Sequence, residues 1–220
     1  PGVDVHFVKG HTTTFLCDDE WLLPCPDTYA ELPQKTRAAF KQALSVDPDC
    51  PYFFKCDDDT YVDIQRLLKF IETNPGDYVG HEMTNEWPSF ASGGAGYLLS
   101  RKAAMIVADH LTDQRGAEDL LVSRVLINNK IKFTPTKLFH PWNNLTPRAA
   151  NEQITFHYAT PALMHRVWEN AQGQKIPKLF HWIWVGGKPM PEEFRAYQKG
   201  WLAKHPGWEG ATWTDLYIDE

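Results

Sequence analysis

Hydrophobic and polar positions along the chain alternate between strand-like and helix-like patterns. Short apolar or alternating runs predict strands, as at Val3–Val8, and apolar residues at helical spacing predict helices, as over Ile64–Ile71. Further strands are predicted at Tyr52–Cys56, Tyr78–Gly80, Gly96–Leu99, Ile131–Phe133 and Ile154–Tyr158, and further helices at 33–44, 101–111, 118–129 and 161–171. This order predicts an α/β fold with a mostly parallel sheet.

The pattern changes near residue 173. Residues 172–175, Gln-Gly-Gln-Lys, are the best linker candidate, and a new strand at 178–185 is followed by a helix that Pro191 opens. Five of the nine Trp residues lie from position 182 onward, so the composition changes there as well. We therefore expect two domains, residues 1–172 and residues 173–220.

Charge and composition exclude several classes of function. The chain has 22 Lys and Arg against 28 Asp and Glu, a net charge of -6, and no basic run, which argues against a nucleic-acid partner. No apolar stretch approaches the roughly 20 residues of a membrane-spanning helix. The four Cys residues form no Cys-x-x-Cys pair, so a zinc knot is not indicated, and the disulfide state stays open.

Three consecutive carboxylates, Asp57, Asp58 and Asp59, directly follow the predicted strand at Tyr52–Cys56. Side chains alternate along an extended chain, so Asp57 and Asp59 are expected to point one way and Asp58 the other. Two carboxylates that converge at the end of a strand suit Mg²⁺ or Mn²⁺, and their mutual repulsion favours a bound cation. The alternative is a solvated acidic turn that caps the next helix.

Two other metal motifs do not fit this triplet. A calcium-binding helix-loop-helix would need an acid or Asn at 61 and Gly at 62, where Tyr61 and Val62 stand. A phosphatase of the haloacid-dehalogenase type has Asp-x-Asp-x-Thr/Val, and Tyr61 occupies the fifth position. A metal-dependent phosphatase or nuclease would also need more clustered carboxylates than the triplet supplies.

Several segments, taken in order, resemble the β-1,3-glycosyltransferase family, which includes the fringe proteins and the core 1 galactosyltransferases. These segments are Asp27–Leu32, Lys35–Thr36, Cys50–Pro51, Phe54–Val62, Ser92–Ser100, Glu118–Asp119 and Phe156–Pro161. The resemblance covers roughly residues 3–171. It implies a GT-A-type nucleotide-sugar-binding fold and an inverting transfer from a UDP-sugar, aided by Mn²⁺ or Mg²⁺.

The resemblance also implies roles for individual residues. Asp59 would be the principal metal ligand, Asp57 would support it or contact the nucleotide, and His157 would complete the site, since a neutral imidazole suits Mn²⁺. Asp119 would be the general base that takes the proton of the acceptor hydroxyl. Glu118 would bind the acceptor or raise the pKa of that base. Without the resemblance, Glu118–Asp119 also fits a favourable placement at a helix start, and His157 a core histidine.

Four further residues are assigned to substrate binding. Asp58 belongs to the triplet, and Gly93 and Gly94 would let the backbone approach a sugar or diphosphate closely. Trp87 would stack on a sugar ring. The alternatives are a tight turn at the glycines and a core position for Trp87.

The C-terminal segment resembles a different family. Ile176–Gly187 and the residues that follow to Asp215 are similar to the opening of Och-type mannosyltransferases and capsular-polysaccharide enzymes that carry a DXD motif. We therefore expect the start of a second transferase domain that ends before its own metal site. The alternative is a strand and helix that pack on the first domain.

The resemblance also predicts a missing element. Family members have a nucleotide-binding first strand before the segment that matches Val3–Val8, and here that strand would lie upstream of Pro1. The chain is thus expected to be a fragment that lacks the first strand of its fold. The absence of an anchor favours a microbial cytoplasm, and the Golgi lumen, where animal relatives act, is the alternative.

The expected activity combines these features. It is the transfer of a hexose or N-acetylhexosamine from a UDP-sugar to a glycan or polysaccharide acceptor, with a β-1,3 linkage taken from the resemblance. Two transferase domains in one chain would suit polysaccharide biosynthesis. The alternative from another class is a non-catalytic carbohydrate-binding or scaffolding relic of the fold, which would bind sugar without metal.

Overall fold

The structure, a computed structural model, describes residues 3–16, 19–84, 86, 88–112, 115–142, 144, 149, 152–171, 179–184 and 188–215. The chain divides into two compact units, Pro1–Trp168 and Glu169–Glu220. The predicted linker at 172–175 lies outside the described residues.

Strands and helices alternate along the described chain. The strands are β1 (Phe7–His11), β2 (Phe15–Leu16), β3 (Glu20–Pro24), β4 (Tyr52–Lys55), β5 (Tyr61–Val62), β6 (Tyr78–Gly80), β7 (Glu82–Met83), β8 (Phe90–Ala91), β9 (Tyr97–Ser100), β10 (Phe133–Pro135), β11 (Phe139–His140), β12 (Thr155–Phe156), β13 (Leu179–Trp184) and β14 (Glu209–Thr214). The helices are α1 (Leu32–Val46), α2 (Ile64–Glu72), α3 (Arg101–His110), α4 (Glu118–Asn128), α5 (Pro161–Ala171) and α6 (Glu192–Lys204). The α/β class predicted from the sequence is confirmed.

The central sheet of the first unit has the strand order β10-β6-β9-β4. β10 and β6 are parallel, but β9 runs antiparallel to both β6 and β4, so this sheet is mixed with fewer parallel pairs than predicted. A parallel neighbour needs a long crossover, usually a helix, whereas the segment between β6 and β9 forms the β7–β8 hairpin. The chain therefore returns to the sheet in the opposite direction.

Side chains of the central sheet alternate between two hydrophobic clusters. Tyr78, Tyr97 and Leu99 face a cluster that includes residues of α1, α3 and α4. Val79 and Leu98 face a second cluster, which also contains Leu67, Phe139 and Ile154. Both faces of the sheet are thus covered, which explains why its strands are almost continuously apolar.

The helix boundaries follow local capping signals. The carboxylate of Asp63 accepts a hydrogen bond from the backbone N–H of Arg66 at 3.0 Å at the start of α2. The Ser100 hydroxyl accepts one from the N–H of Ala103 at 3.3 Å and so caps α3. The sequence pattern therefore located these helices to within a few residues.

The N-terminal sheet differs from its prediction. β3 lies between β1, to which it is parallel, and β2, to which it is antiparallel. β1 begins at Phe7, opposite Glu20 of β3, whereas Val3 and Val5 are exposed and precede the pairing. An alternating pattern indicates an extended segment, but the ladder begins only where a partner strand is present.

The sheet that carries the site is small. β12 lies between β11, to which it is parallel, and β5, to which it is antiparallel. Phe156 pairs with Tyr61, and Thr155 with Val62. The residue that follows β12 is therefore brought next to the turn that precedes β5.

The second unit contains a strand-helix-strand arrangement. β13 and β14 pair in parallel over six residues each, and α6 connects them in sequence. The strand predicted at 178–185 and the helix that Pro191 opens are both present. Phe194, Tyr197 and Trp201 recur at helical spacing along α6 and form an aromatic face that is exposed.

The cysteines in the described part of the chain form no disulfide bond. Cys25, Cys50 and Cys56 are free thiols, and Cys17 lies outside the described residues. Burial raises the pKa of the Cys56 thiol to about 12.

Within the described ranges, every helix is too short or too polar to cross a lipid bilayer.

Candidate functional site

The acidic triplet lies in a turn between β4 and β5. The turn is closed by a hydrogen bond from the N–H of Thr60 to the carbonyl of Asp57, at 3.2 Å. The Thr60 hydroxyl also donates to the carbonyl of Gly94, at 2.7 Å. The side chains of Asp57 and Asp59 are 41% and 45% exposed, so both carboxylates reach solvent while their backbone is held in place.

His157 joins the triplet from the end of β12. Its Nε2 lies 3.1 Å from Oδ1 of Asp59 and 3.7 Å from Oδ2 of Asp57. The backbone reinforces the arrangement, because the N–H of Ala159 donates to the carbonyl of Asp59 at 2.8 Å. The imidazole itself is largely buried, with 11% of its side chain exposed. The pairing of β12 with β5 thus determines where the ring lies.

The glycine-rich segment packs between this histidine and the acidic start of α4. A Cβ on Gly94 would overlap the His157 ring, lying 2.6 Å from Nε2 and closer still to two other ring atoms. A Cβ on Gly93 would lie 3.1 Å from Cβ of Asp119 and 3.2 Å from Oε2 of Glu118. Both glycines therefore provide space for protein side chains. Gly96, with φ +93°, provides the left-handed turn into β9.

Asp119 is anchored by two backbone groups. Its Oδ2 accepts a hydrogen bond from the N–H of Gly93 at 3.0 Å, and its Oδ1 accepts one from the N–H of Leu120 at 2.9 Å. Burial raises the pKa of the Asp119 carboxyl, the two N–H donors oppose that shift, and the neighbouring charge of Glu118 adds to it. The net result is a carboxylate that is a stronger base than an exposed aspartate.

Glu118 lies beneath the site and does not reach solvent. Only 2% of its side chain is exposed, and its two oxygens have separate partners. The Tyr97 hydroxyl donates to Oε1 at 2.5 Å, and the Lys55 ammonium lies 3.4 Å from Oε2. These contacts place Glu118 in a buried polar network, whereas Asp119 accepts the hydrogen bond from the N–H of Gly93.

Lys55 connects this network to the triplet. Its Nζ donates to Oδ1 of Asp57 at 3.0 Å and to the carbonyl of Gly93 at 3.4 Å, in addition to Glu118. Burial lowers the pKa of Lys55, but the charges of Glu118 and Asp57 outweigh it, and the net pKa is raised. The lysine is therefore a permanent cation at neutral pH.

The donor atoms of Asp57, Asp59 and His157 suit a divalent cation. One ligand atom from each lies within 4.8 Å of the others, and no second group of three such residues occurs among the described part of the chain. Two carboxylates and an imidazole match the ligand preferences of Mn²⁺ and, less closely, Mg²⁺. The residues present therefore fit the metal that the sequence led us to expect.

The structure places most of the sequence-predicted residues around one loop. The residues that lie there are Asp57, Asp59, His157, Gly93, Gly94, Glu118 and Asp119. Asp58 is exposed and is not part of this cluster, and because the triplet forms a turn, the alternation expected of an extended chain does not describe it. Trp87 lies outside the described residues. Sequence reasoning missed Lys55 and Tyr97. For Lys55, the available signal was its positive charge at the end of the otherwise apolar strand β4.

Comparisons with known proteins agree with a transferase. The sequence profile of the galactosyltransferase family matches residues 19–84, a range that includes the acidic triplet. A hydroxyproline O-galactosyltransferase of Arabidopsis thaliana is 24% identical over 174 residues, which cover 68% of this chain and 25% of that protein. The chain thus spans about a quarter of the length of this relative. These two sequence similarities support glycosyl transfer and a likeness to the galactosyltransferase family.

A solved structure is also similar. It is a glycosyltransferase involved in the glycosylation of the major capsid of PBCV-1, with a TM-score of 0.41 and 11% sequence identity. The match covers 75% of this chain and 98% of that one.

Proposed function

We propose that the chain is a metal-dependent, inverting glycosyltransferase of GT-A type. It would transfer a hexose or N-acetylhexosamine from a UDP-sugar to a glycan or polysaccharide acceptor, with a β-1,3 linkage. The observation that carries the proposal is the convergence of Asp57, Asp59 and His157 within 4.8 Å. The similarity of residues 19–84 to galactosyltransferases supports the same class of reaction.

The segment Gly93–Gly94 contacts both a candidate metal ligand and the candidate base. Gly94 contacts the His157 ring and its neighbour Gly93 holds Asp119 by a backbone hydrogen bond. Consecutive Cα atoms are about 3.8 Å apart, so the two functional groups lie on the two sides of one short segment. A donor diphosphate and an acceptor hydroxyl could thus be bound side by side.

The chain's own residues then have distinct tasks. Asp119 accepts the proton of the acceptor hydroxyl while that oxygen forms a bond to the anomeric carbon and the bond to the diphosphate breaks. Attack from the face opposite the leaving group inverts the anomeric configuration. Asp57, Asp59 and His157 would hold the cation, which would supply neutralising charge for the departing diphosphate. Asp58, Trp87, Gly93 and Gly94 remain candidates for substrate contacts.

The domain assignment forms part of the proposal. Residues 1–172 would be the catalytic domain, and residues 173–220 the beginning of a second transferase-like domain. The parallel pairing of β13 with β14 around α6 supports an α/β start for that second domain. Polysaccharide biosynthesis would be the natural setting for such a chain.

A ligand-dependent melting experiment tests the proposal. A ligand that binds only the folded state raises the melting temperature by mass action. We expect UDP to stabilise the protein when Mn²⁺ is present, and we expect the effect to disappear in Asp59→Ala. Asp109→Ala, an exposed change on α3, is the matched control and should behave like the unsubstituted protein.

An assay of sugar transfer then distinguishes an enzyme from the non-catalytic carbohydrate-binding alternative. Sugar release from UDP-galactose, UDP-glucose and UDP-N-acetylhexosamines should be metal-dependent and fall by about a hundredfold or more in Asp119→Ala. Stabilisation by free sugars without metal, with no transfer, would favour the non-catalytic alternative. Stabilisation by UDP that persists in Asp59→Ala would overturn the metal site.

A further inference from the structure

Lys55 contacts three parts of the site with one ammonium group. Its Nζ lies 3.0 Å from Oδ1 of Asp57, 3.4 Å from the carbonyl of Gly93 and 3.4 Å from Oε2 of Glu118. An ammonium has three N–H donors, so these contacts use its full capacity. The side chain is 19% exposed, and its position is defined further by Tyr97, whose ring centroid lies 5.8 Å from Nζ.

Each contact has a consequence for a neighbouring group. Because Oδ1 of Asp57 is taken by Lys55, Oδ2 is the oxygen that faces Nε2 of His157, at 3.7 Å. Gly93, whose carbonyl accepts from Lys55, donates its own N–H to Asp119 at 3.0 Å. The ammonium therefore connects the candidate metal ligands that follow β4 with the candidate base on α4.

We propose that Lys55 is a positioning residue that holds Asp57 by Oδ1, so that only Oδ2 is available to a cation. The same ammonium fixes the Gly93 segment that anchors Asp119. This inference rests on the proposed function, because it concerns how the metal site is oriented. Groups that orient metal ligands typically affect metal affinity or activity by about 10- to 100-fold.

A simpler role for Lys55 would be to neutralise the buried charge of Glu118. An unpaired buried carboxylate is costly, so Lys55 would then matter for folding and would leave the metal site unaffected. The two roles differ when both charges are removed together. In that case the buried pair is gone and the net charge near the metal site is unchanged, but Asp57 has lost the group that orients it.

The test is the double variant Lys55→Met/Glu118→Gln. The amide that Glu118→Gln introduces can still accept a hydrogen bond from Tyr97, so a folded protein is expected. The readouts are the melting temperature and the dissociation constant of Mn²⁺, measured by electron paramagnetic resonance of free Mn²⁺ with UDP present. We expect Mn²⁺ to bind about tenfold more weakly or worse, at a melting temperature that shows a folded protein.

The matched control is Lys9→Met/Glu20→Gln. Lys9 and Glu20 form an ion pair between β1 and β3, and the control makes the same two substitutions at that pair. It should bind Mn²⁺ as the unsubstituted protein does. A folded site variant that also binds Mn²⁺ normally would overturn the positioning role and leave charge neutralisation as the function of Lys55.

Two further outcomes are decided by the same measurement. If the double variant does not fold, Lys55→Arg replaces it, because arginine keeps the charge beside Glu118 but its planar guanidinium cannot reproduce the three contacts of the ammonium. Weaker Mn²⁺ binding in a folded Lys55→Arg protein supports the positioning role, and unchanged binding contradicts it. Absence of Mn²⁺ binding in the unsubstituted protein would overturn the proposed function, and this inference with it.

Discussion

Gly94 lies directly against the imidazole of His157. No side chain larger than hydrogen fits there, since a Cβ on Gly94 would lie 2.6 Å from Nε2 and even closer to Cε1 and Nδ1. The two residues are far apart in sequence, and their segments are joined by a hydrogen bond from the Thr155 hydroxyl to the carbonyl of Ala95, at 2.6 Å. The glycine thus sets the position of a candidate metal ligand by being small.

Gly94→Ala should therefore displace His157. We expect weaker Mn²⁺ binding and a loss of about 1–3 kcal/mol in the free energy of unfolding, which is typical of overpacking. Urea unfolding and a Mn²⁺ titration measure the two effects. Gly200→Ala is the control, because nothing lies within 4 Å of its added Cβ inside α6, and alanine should stabilise that helix by about 0.5–1 kcal/mol. Normal Mn²⁺ binding by Gly94→Ala would contradict the proposed role of His157.

The activity should decline at acid pH because of Asp119. Its pKa lies above the ordinary value of 3.8, with burial as the largest cause. A base with a raised pKa stays protonated up to a higher pH, so kcat/KM should fall as the pH drops through a value above 3.8. A pH–rate profile at saturating Mn²⁺ measures this. Asp119→Asn should lose this acid limb and lie at least about a hundredfold lower, and an unchanged limb would assign it to another group.

Neighbouring aspartates should differ in their effect on the metal. Asp57 belongs to the cluster with Asp59 and His157, whereas Asp58 is exposed and stands apart from it. Asp57→Asn should weaken Mn²⁺ binding by about tenfold or more, and Asp58→Asn should leave it unchanged, with any loss confined to the KM of the donor. The two variants make the same isosteric change at adjacent positions. Equal effects on Mn²⁺ would contradict the assignment of Asp57, and not Asp58, to the metal site.

The Tyr97 hydroxyl should contribute to stability through Glu118. It donates to a buried carboxylate oxygen at 2.5 Å, so Tyr97→Phe leaves that oxygen without this donor. The expected cost is about 1–3 kcal/mol in the free energy of unfolding. Tyr52→Phe removes a hydroxyl that bonds Asn74 in an exposed position and should cost about 0.5 kcal/mol or less. Similar losses in the two variants would argue against a specific role for the buried bond.

Much of the first unit could be predicted from local patterns. The helical spacing of apolar residues gave α2 and α3 close to their observed bounds, and the structure shows that Asp63 and Ser100 cap them. The position of the acidic triplet after an apolar strand also followed from adjacent residues. These features depend on interactions within a few residues, and for this reason one sequence is enough to predict them.

The remaining features depend on which segments pair. Nothing near Tyr97 indicates that β9 runs antiparallel to β4 and β6, or that its hydroxyl meets Glu118. The exposed aromatic face of α6 is a second example. An amphipathic pattern indicates that one face of a helix packs, but it does not identify the element against which that face packs.

The sequence by itself therefore determined the helices, the strands β4, β6 and β9, and the chemical types of the site residues, whereas short strands such as β5 and β11 were not predicted. The tertiary structure alone decided that Lys55 connects Asp57 to Glu118, and that Gly94 leaves room for the ring of His157. The physical reason is that strand pairing and burial of charge are settled by the free energy of the whole fold. Local propensities restrict which strand pairings are possible, but they do not select one of them.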